Sequence, residues 1–242
     1  DYGQLGNGTN IATNAPTQIG TSTNWQKIAA GLDYSLAIKT DGTLWAWGQN
    51  TNGQLGDGTL VDKTLPVQIG TTTDWTFVCA GLYASFALKS NSSLWVWGMN
   101  QHTQFGNNKN KNVFQPVLSP SSWKSASTPI SSFGGHTLAI ATNGTLWSWG
   151  QNNDGQLGIG TTYTHKVLPV QIGTSTDWKQ VTNGNFASLA IKENGTLWAW
   201  GRNTYGVLGT GTGSSNILTP FQVGTVSTWK QVSAGNEHVL AI

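Results

Sequence analysis

Charge is scarce in this sequence. Twelve Lys and Arg against ten Asp and Glu make 9% of 242 residues and a formal net charge of +2, where an ordinary soluble domain carries about 25% charged residues. The cations are scattered, so the electrostatic footprint of a nucleic-acid binder is missing and no nucleic-acid partner is expected. A single cysteine, Cys79, excludes an internal disulfide framework. No apolar run approaches the roughly 18 residues of a membrane-spanning helix, so no membrane insertion is expected. His102, His136, His165 and His238 lack the spacing of metal ligands. No carboxylate pair stands out for acid–base work. The sequence therefore predicts no cofactor, no metal and no enzyme activity. Disorder is excluded as well: 37% hydrophobic residues together with 31 Gly amount to an ordinary apolar content.

Tryptophan and internal repetition are abundant. Leu-Trp-x-Trp-Gly occurs at Leu44 to Gly48, Leu94 to Gly98, Leu146 to Gly150 and Leu197 to Gly201. A turn rich in Ser and Thr precedes Trp25, Trp75, Trp123, Trp178 and Trp229, and these two motifs contain all 13 Trp. Gly-Gln-Leu-Gly starts at Gly3, Gly53 and Gly155, with variants Thr103 to Gly106 and Gly206 to Gly209. Ser-Leu-Ala-Ile or a close variant starts at Ser35, Ser85, Thr137, Ser188 and Val239. Five copies of about 50 residues follow, approximately 1–48, 49–98, 99–150, 151–201 and an incomplete 202–242.

Within a copy the residues read as short strands. Ser35 to Lys39 and Thr43 to Trp47 form a hairpin around Asp41-Gly42, with Asn143-Gly144 and Asn194-Gly195 in later copies. The sequons at Asn7, Asn91, Asn143 and Asn194 read mostly as a by-product of turn chemistry. Alternation puts both Trp of Leu-Trp-x-Trp on one face and the small Ala46 on the other, a large-and-small split that lets identical units mesh. Four strands per copy predict an all-β fold, a β-propeller of four-stranded blades. The whole chain reads as one repeat segment, belonging to a larger ring of about seven blades, with further blades or domains in the same polypeptide.

Gly31-x-x-x-Ser35-Leu36-Ala37-Ile38, followed by Asp41-Gly42-Thr43-Leu44-Trp45-Ala46-Trp47-Gly48-x-Asn50-x-x-Gly53-Gln54-Leu55-Gly56, resembles the regulator-of-chromosome-condensation repeat. The resemblance implies a β-propeller, commonly seven-bladed. It also implies the functions met in that family, among them guanine-nucleotide exchange on a small GTPase with chromatin binding, and inhibition of a β-lactamase by a secreted member.

Positions that vary between copies mark where a partner could be recognised. After the Gly that closes the Trp-led strand, the variable triplets are Leu32-Asp33-Tyr34, Leu82-Tyr83-Ala84, Gly134-Gly135-His136, Asn185-Phe186-Ala187 and Asn236-Glu237-His238. Asp33, Tyr34, Tyr83, His136, Phe186, Glu237 and His238 are the candidate binding residues, because aromatic anchors with a few polar groups suit an interface. Ordinary loop drift explains the same variation, and His136 and His238 share a repeat position that also fits a structural role. A second variable set, Gln101 to Thr103, Asn152 to Asp154 and Thr204-Tyr205, is expected near the opposite turn of each copy.

The sequence favours a non-catalytic binding or scaffold module, recognising a protein or glycan through loops on one propeller face. Low charge with plentiful Asn, Thr, Gly and Gln suggests a secreted or cell-surface protein of bacterial type. The alternatives are an exchange factor of the chromatin type, or a scaffold domain attached to an enzyme or adhesin.

Overall fold

A computed structural model describes residues 1–107, 115–116, 122–127, 135–211, 213, 215–236 and 238–242. Eighteen strands and one short 3-10 turn (Thr204–Gly206) make up the regular structure of these residues, with no α-helix among them. The first sheet contains β1 (Trp25–Ala30), β2 (Tyr34–Lys39), β3 (Leu44–Gly48) and β4 (Lys63–Gln68). The second contains β5 (Trp75–Ala80), β6 (Ala84–Lys89), β7 (Leu94–Gly98) and β8 (Gln115–Pro116). The third holds β9 (Trp123–Ser127), β10 (His136–Ala141), β11 (Leu146–Gly150) and β12 (Lys166–Gln171). The fourth holds β13 (Trp178–Asn183), β14 (Ala187–Lys192), β15 (Leu197–Gly201) and β16 (Ile217–Gln222). A two-stranded sheet follows, β17 (Val232–Ala234) with β18 (Val239–Ala241).

Every four-stranded sheet is antiparallel and keeps its strands in chain order, the build of a propeller blade. The chain divides into two compact units, Asp1–Asn100 with Asn110–Val117, and Gln101–Lys109 with Leu118–Ile242. A sheet begins at the Trp that follows the Ser/Thr-rich turn and ends after the next Gly-Gln-Leu-Gly. Each four-stranded sheet therefore draws strands from two successive sequence copies, which ties neighbouring copies together. Pro66, Pro169 and Pro220 lie in β4, β12 and β16, which pair on one side only. An edge strand tolerates the missing N–H of proline.

The hairpin turns follow from their residues. Asp41 Oδ1 accepts from the Thr43 N–H (3.0 Å) and hydroxyl (2.7 Å), and Thr43 Oγ1 accepts from the Trp45 indole at 2.9 Å. Asn143, Thr145 and Trp147 repeat this chain, as do Asn194, Thr196 and Trp198. The sequon spacing is thus the spacing of an Asx turn followed by an indole donor.

Within the first unit, Leu36, Ile38 and Leu44 of the first sheet pack on Trp75, Val78 and Trp97 of the second. In the other unit, Leu138, Ile140 and Leu146 pack on Trp178, Val181 and Trp200, and Leu189, Ile191 and Leu197 pack on Val232 and Ala234. Each fully buried aliphatic side chain contributes roughly 1.5–3 kcal/mol. The meshing differs from a bulky face set against a shallow one. Register places Leu36 opposite Ala46 and Ala37 opposite Trp45. Both faces thus carry large residues beside small ones, and close packing is achieved strand by strand.

Gly-Gln-Leu-Gly is the joint between a turn and the next Trp. Trp47, Trp97, Trp149 and Trp200 donate their indole N–H to the backbone carbonyls of Gln4, Gln54, Gln104 and Gln156. Leu55, Phe105 and Leu157 at the third position of the motif are buried. The closing glycine lies on the indole: a Cβ on Gly158 (φ +70°) would stand 2.7 Å from Trp200 Nε1.

Candidate binding surface

Antiparallel pairing determines where the variable residues meet. Tyr34 stands opposite Gly48, Ala84 opposite Gly98, His136 opposite Gly150 and Ala187 opposite Gly201. The start of each second strand therefore lies beside the end of the third. One backbone bond then recurs in all four sheets. Gln49, Met99, Gln151 and Arg202 donate their N–H to the carbonyls of Asp33, Tyr83, Gly135 and Phe186 at 2.8–2.9 Å. Only glycine fits at the bend, since Gly48 has φ +101° and its Cβ would lie 2.5 Å from the Asp33 carbonyl oxygen. Both variable sets consequently occupy the same end of their sheets, which corrects the expectation of opposite turns. A hairpin returns the chain to the end from which it started.

The predicted residues divide by the direction of their side chains. Tyr34 is 1% exposed: its hydroxyl donates to the Ala84 carbonyl (2.8 Å) and accepts from Ser85 Oγ (3.0 Å). His136 is fully buried. Ser188 Oγ donates to the Gln156 carbonyl at 2.7 Å, which assigns His136 Nε2 as the donor in its 2.8 Å contact with Ser188. Neither ring is open to a partner. Each is the first residue of its strand and reaches forward onto the next sheet, so both leave the binding surface and join the packing between sheets. The alternation Tyr34, Ala84, His136, Ala187 carries this signal, large and small residues taking turns at one repeat position.

Asp33 is partly buried and accepts from Gln4 Nε2 at 3.2 Å. Tyr83 and Phe186 are partly buried, and His238 is exposed with its ring over Gly235. Glu237 lies outside the described residues.

Around Phe186 the loops build a cavity of about 340 Å³, whose lining includes Arg202, Thr204, Tyr205, Val207 and Asn236. The Arg202 guanidinium carbon stands 3.7 Å from the Phe186 ring centroid. Its Nε and Nη2 donate to the two oxygens of Asp154 at 3.2 and 3.1 Å. Tyr205 is 94% exposed and holds φ +62°, ψ +15°, a left-handed conformation uncommon for a bulky residue. The cause is local. In the other copies Gln4, Gln54, Gln104 and Gln156 accept the N–H of the residue two positions earlier through Oε1. Val207 stands at that position in this copy and has no oxygen to offer.

Variation pointed to Phe186 and, in the second variable set, to Tyr205, and missed Arg202 and Val207. The available signal was the replacement of Gln49, Met99 and Gln151 by Arg, and of the turn glutamine by Val. Among the described residues no cluster of three His, Cys, Asp or Glu is placed to hold a metal ion, and no helix is long and apolar enough to cross a membrane.

The family model described as the regulator of chromosome condensation (RCC1) repeat matches residues 1–38, 41–88, 143–191 and 194–242, well over half of the chain. Over 91 residues, 34% of the chain, the sequence is 42% identical to a bifunctional serine/threonine-protein kinase/NEDD4-like E3 ubiquitin-protein ligase of Dictyostelium discoideum, covering 5% of that protein. The fold is similar to human WBSCR16, with a TM-score of 0.84 and 19% identity over the full chain and 65% of that protein. It is also similar to Prp20p of Saccharomyces cerevisiae, with a TM-score of 0.76 and 22% identity over 91% of this chain and 56% of that one. The chain thus spans less than two thirds of the relatives it matches. The sheets described above are β-propeller blades, and the chain belongs to the RCC1 repeat family.

Proposed function

We propose that this chain is a non-catalytic protein-binding module that meets its partner through the loops before the second strand and after the third strand of its blades. One observation carries this reading: the repeat-constant residues are buried in packing, while both variable loop sets emerge at one end of the sheets. Prp20p supports it by analogy, its structure having been described together with its binding properties to Gsp1p and histones. The Dictyostelium relative is a kinase and ubiquitin ligase, but the match covers 5% of it and assigns no catalysis to this chain. A protein partner is favoured over a glycan because the tryptophans, the usual sugar platforms, are committed to blade packing. An extracellular location belongs to the same reading and rests on composition, in the low charge and the wealth of Asn, Thr and Gly.

The test is site-specific photo-crosslinking in the native host. A photoreactive residue at 186 or 205 should capture the same partner protein. The same probe at 143 or 194, about 20 Å away at the far end of the strands, should capture none. Equal capture from both ends rejects the loop surface.

A further inference from the structure

We propose that the Phe186–Arg202–Tyr205 cavity receives a carboxylate carried beside an aromatic side chain, an acidic-aromatic segment of the partner; this deepens the protein-binding reading and rests on it. Two departures from the repeat, Arg202 and Val207, coincide here with two aromatic residues. Arg202 replaces Gln49, Met99 and Gln151, and Val207 replaces the turn glutamine; Phe186 stands where the other copies have Asp33, Tyr83, Gly135 and Glu237, and Tyr205 where they have Tyr2, Asn52, His102 and Asp154. Drift scattered among the loops would not place a cation, two aromatic rings and an aliphatic residue around a single cavity.

The guanidinium is held in advance. One edge is fixed by the two oxygens of Asp154, and Asn216 Nδ2 donates to the same carboxylate at 3.3 Å. One face lies on Phe186. A guanidinium has five N–H donors, and two are engaged by Asp154. The remaining donors match a second planar carboxylate, and an aromatic ring can stack on the face away from Phe186. Because Arg202 is already ordered, little conformational entropy is lost on binding.

Exposure decides the sign of the ligand charge. In the ion pair the Arg202 side chain is 37% exposed and that of Asp154 only 15%. Each Asp154 oxygen already accepts a donor from Arg202, so the charge turned toward solvent is the positive one. Val207, Ala187 and the Tyr205 ring supply apolar walls. A cavity of about 340 Å³ is at the small end for ligand sites, with room for a side chain or two and not for a folded surface.

The test is an NMR titration of the whole chain with short capped peptides. Acetyl-Phe-Asp-amide should shift the Arg202 Nε–H and the Val207 and Asn236 amides in a saturable way. Acetyl-Phe-Asn-amide should bind about tenfold more weakly, the loss of one charge-assisted contact, and acetyl-Phe-Lys-amide more weakly still. Arg202→Gln should remove the discrimination between Asp and Asn, and Arg202→Lys should restore part of it. Phe186→Ala should weaken all three peptides. Equal affinity for the Asp, Asn and Lys peptides, or unchanged discrimination in Arg202→Gln with its fold intact by circular dichroism, overturns the proposal. Failure here with loop-specific cross-links intact removes the carboxylate assignment alone. Peptide discrimination with equal capture from both ends upholds the cavity and removes the partner surface.

Discussion

The Trp200 indole donates to the backbone carbonyl of Gln156, 44 residues earlier, and Ser188 Oγ donates to that same carbonyl at 2.7 Å. This bond explains why two motifs far apart in sequence keep step. The ring is fully buried, so its N–H must find a partner within the protein, and the Gly-Gln-Leu-Gly turn at the start of the same copy provides one. Trp198, two residues earlier, is half-buried and donates locally to Thr196 at 2.9 Å. The paired tryptophans therefore have unequal roles.

Replacement by phenylalanine should separate them. Trp200→Phe should cost about 1–2 kcal/mol, from one lost buried hydrogen bond and some volume, and Trp200→Ala about 3–5 kcal/mol. Trp198→Phe should cost roughly 0.5 kcal/mol, since its bond is local and its ring meets solvent. Chemical denaturation measures all three. Equal losses for the two Phe variants would show that the long-range bond adds nothing.

Much of this fold is legible in the sequence because each motif is tied to one physical requirement. Asn or Asp two residues before Ser or Thr marks the hairpin, and the Trp pair marks the third strand. The binding surface is less legible. Variation locates a loop but does not reveal whether a side chain faces solvent or crosses to the next sheet, and Tyr34 and His136 do the latter. The meeting of Phe186 with Arg202, 16 positions apart, depends on which strand ends the hairpin register brings side by side. That register is a property of the folded sheet.

Tyr34 gives the fold a sensitivity to alkali. Burial pushes its phenol well above the ordinary value, and the hydrogen bond from Ser85 opposes that only in part. The unfolded chain releases this proton near pH 10 while the folded chain retains it. Stability from this group is therefore whole below about pH 10 and falls as pH rises further, by at most about 1.4 kcal/mol per pH unit. Tyr34→Phe should be less stable than the parent at pH 7 by about 1–2 kcal/mol. The gap should narrow between pH 10 and 11.5. A gap that stays constant across that range would mean the phenol ionises equally well in both states.

Lys192 ties the end of β14 to two indoles and an acid. Its Nζ lies 4.8 and 5.1 Å from the Trp178 and Trp198 rings, 2.9 Å from Asp177 and 2.9 Å from Ser175 Oγ. Lys89 repeats the arrangement with Trp75, Trp95 and Asp74. In the third sheet Ala141 replaces the lysine and Ser122 the acid, so cation and anion are absent together. Lys192→Met keeps the stem and should cost about 1–2 kcal/mol, chiefly from the ring contacts. Asp177→Asn should cost less, because Asp177 is 44% exposed and its attraction is screened. Thermal melts in low and high salt should show the Asp177 effect fading while most of the Lys192 effect persists. The reverse order would place the stabilisation in the ion pair.

Tyr205 should exchange stability for binding. A non-glycine residue in the left-handed region costs about 1–2 kcal/mol, and at 94% exposure the ring recovers little of this through packing. Tyr205→Gly relieves the strain and adds some entropy to the unfolded chain, leaving a net gain of about 0.5–1 kcal/mol. The same change removes one aromatic wall of the cavity. The variant should therefore melt higher by a few degrees while losing affinity for acetyl-Phe-Asp-amide. A residue that was merely tolerated would raise stability on removal and leave binding untouched. A residue needed to brace the turn would lower stability instead. Only the opposed changes, tighter fold and weaker binding, fit a strained aromatic retained for recognition.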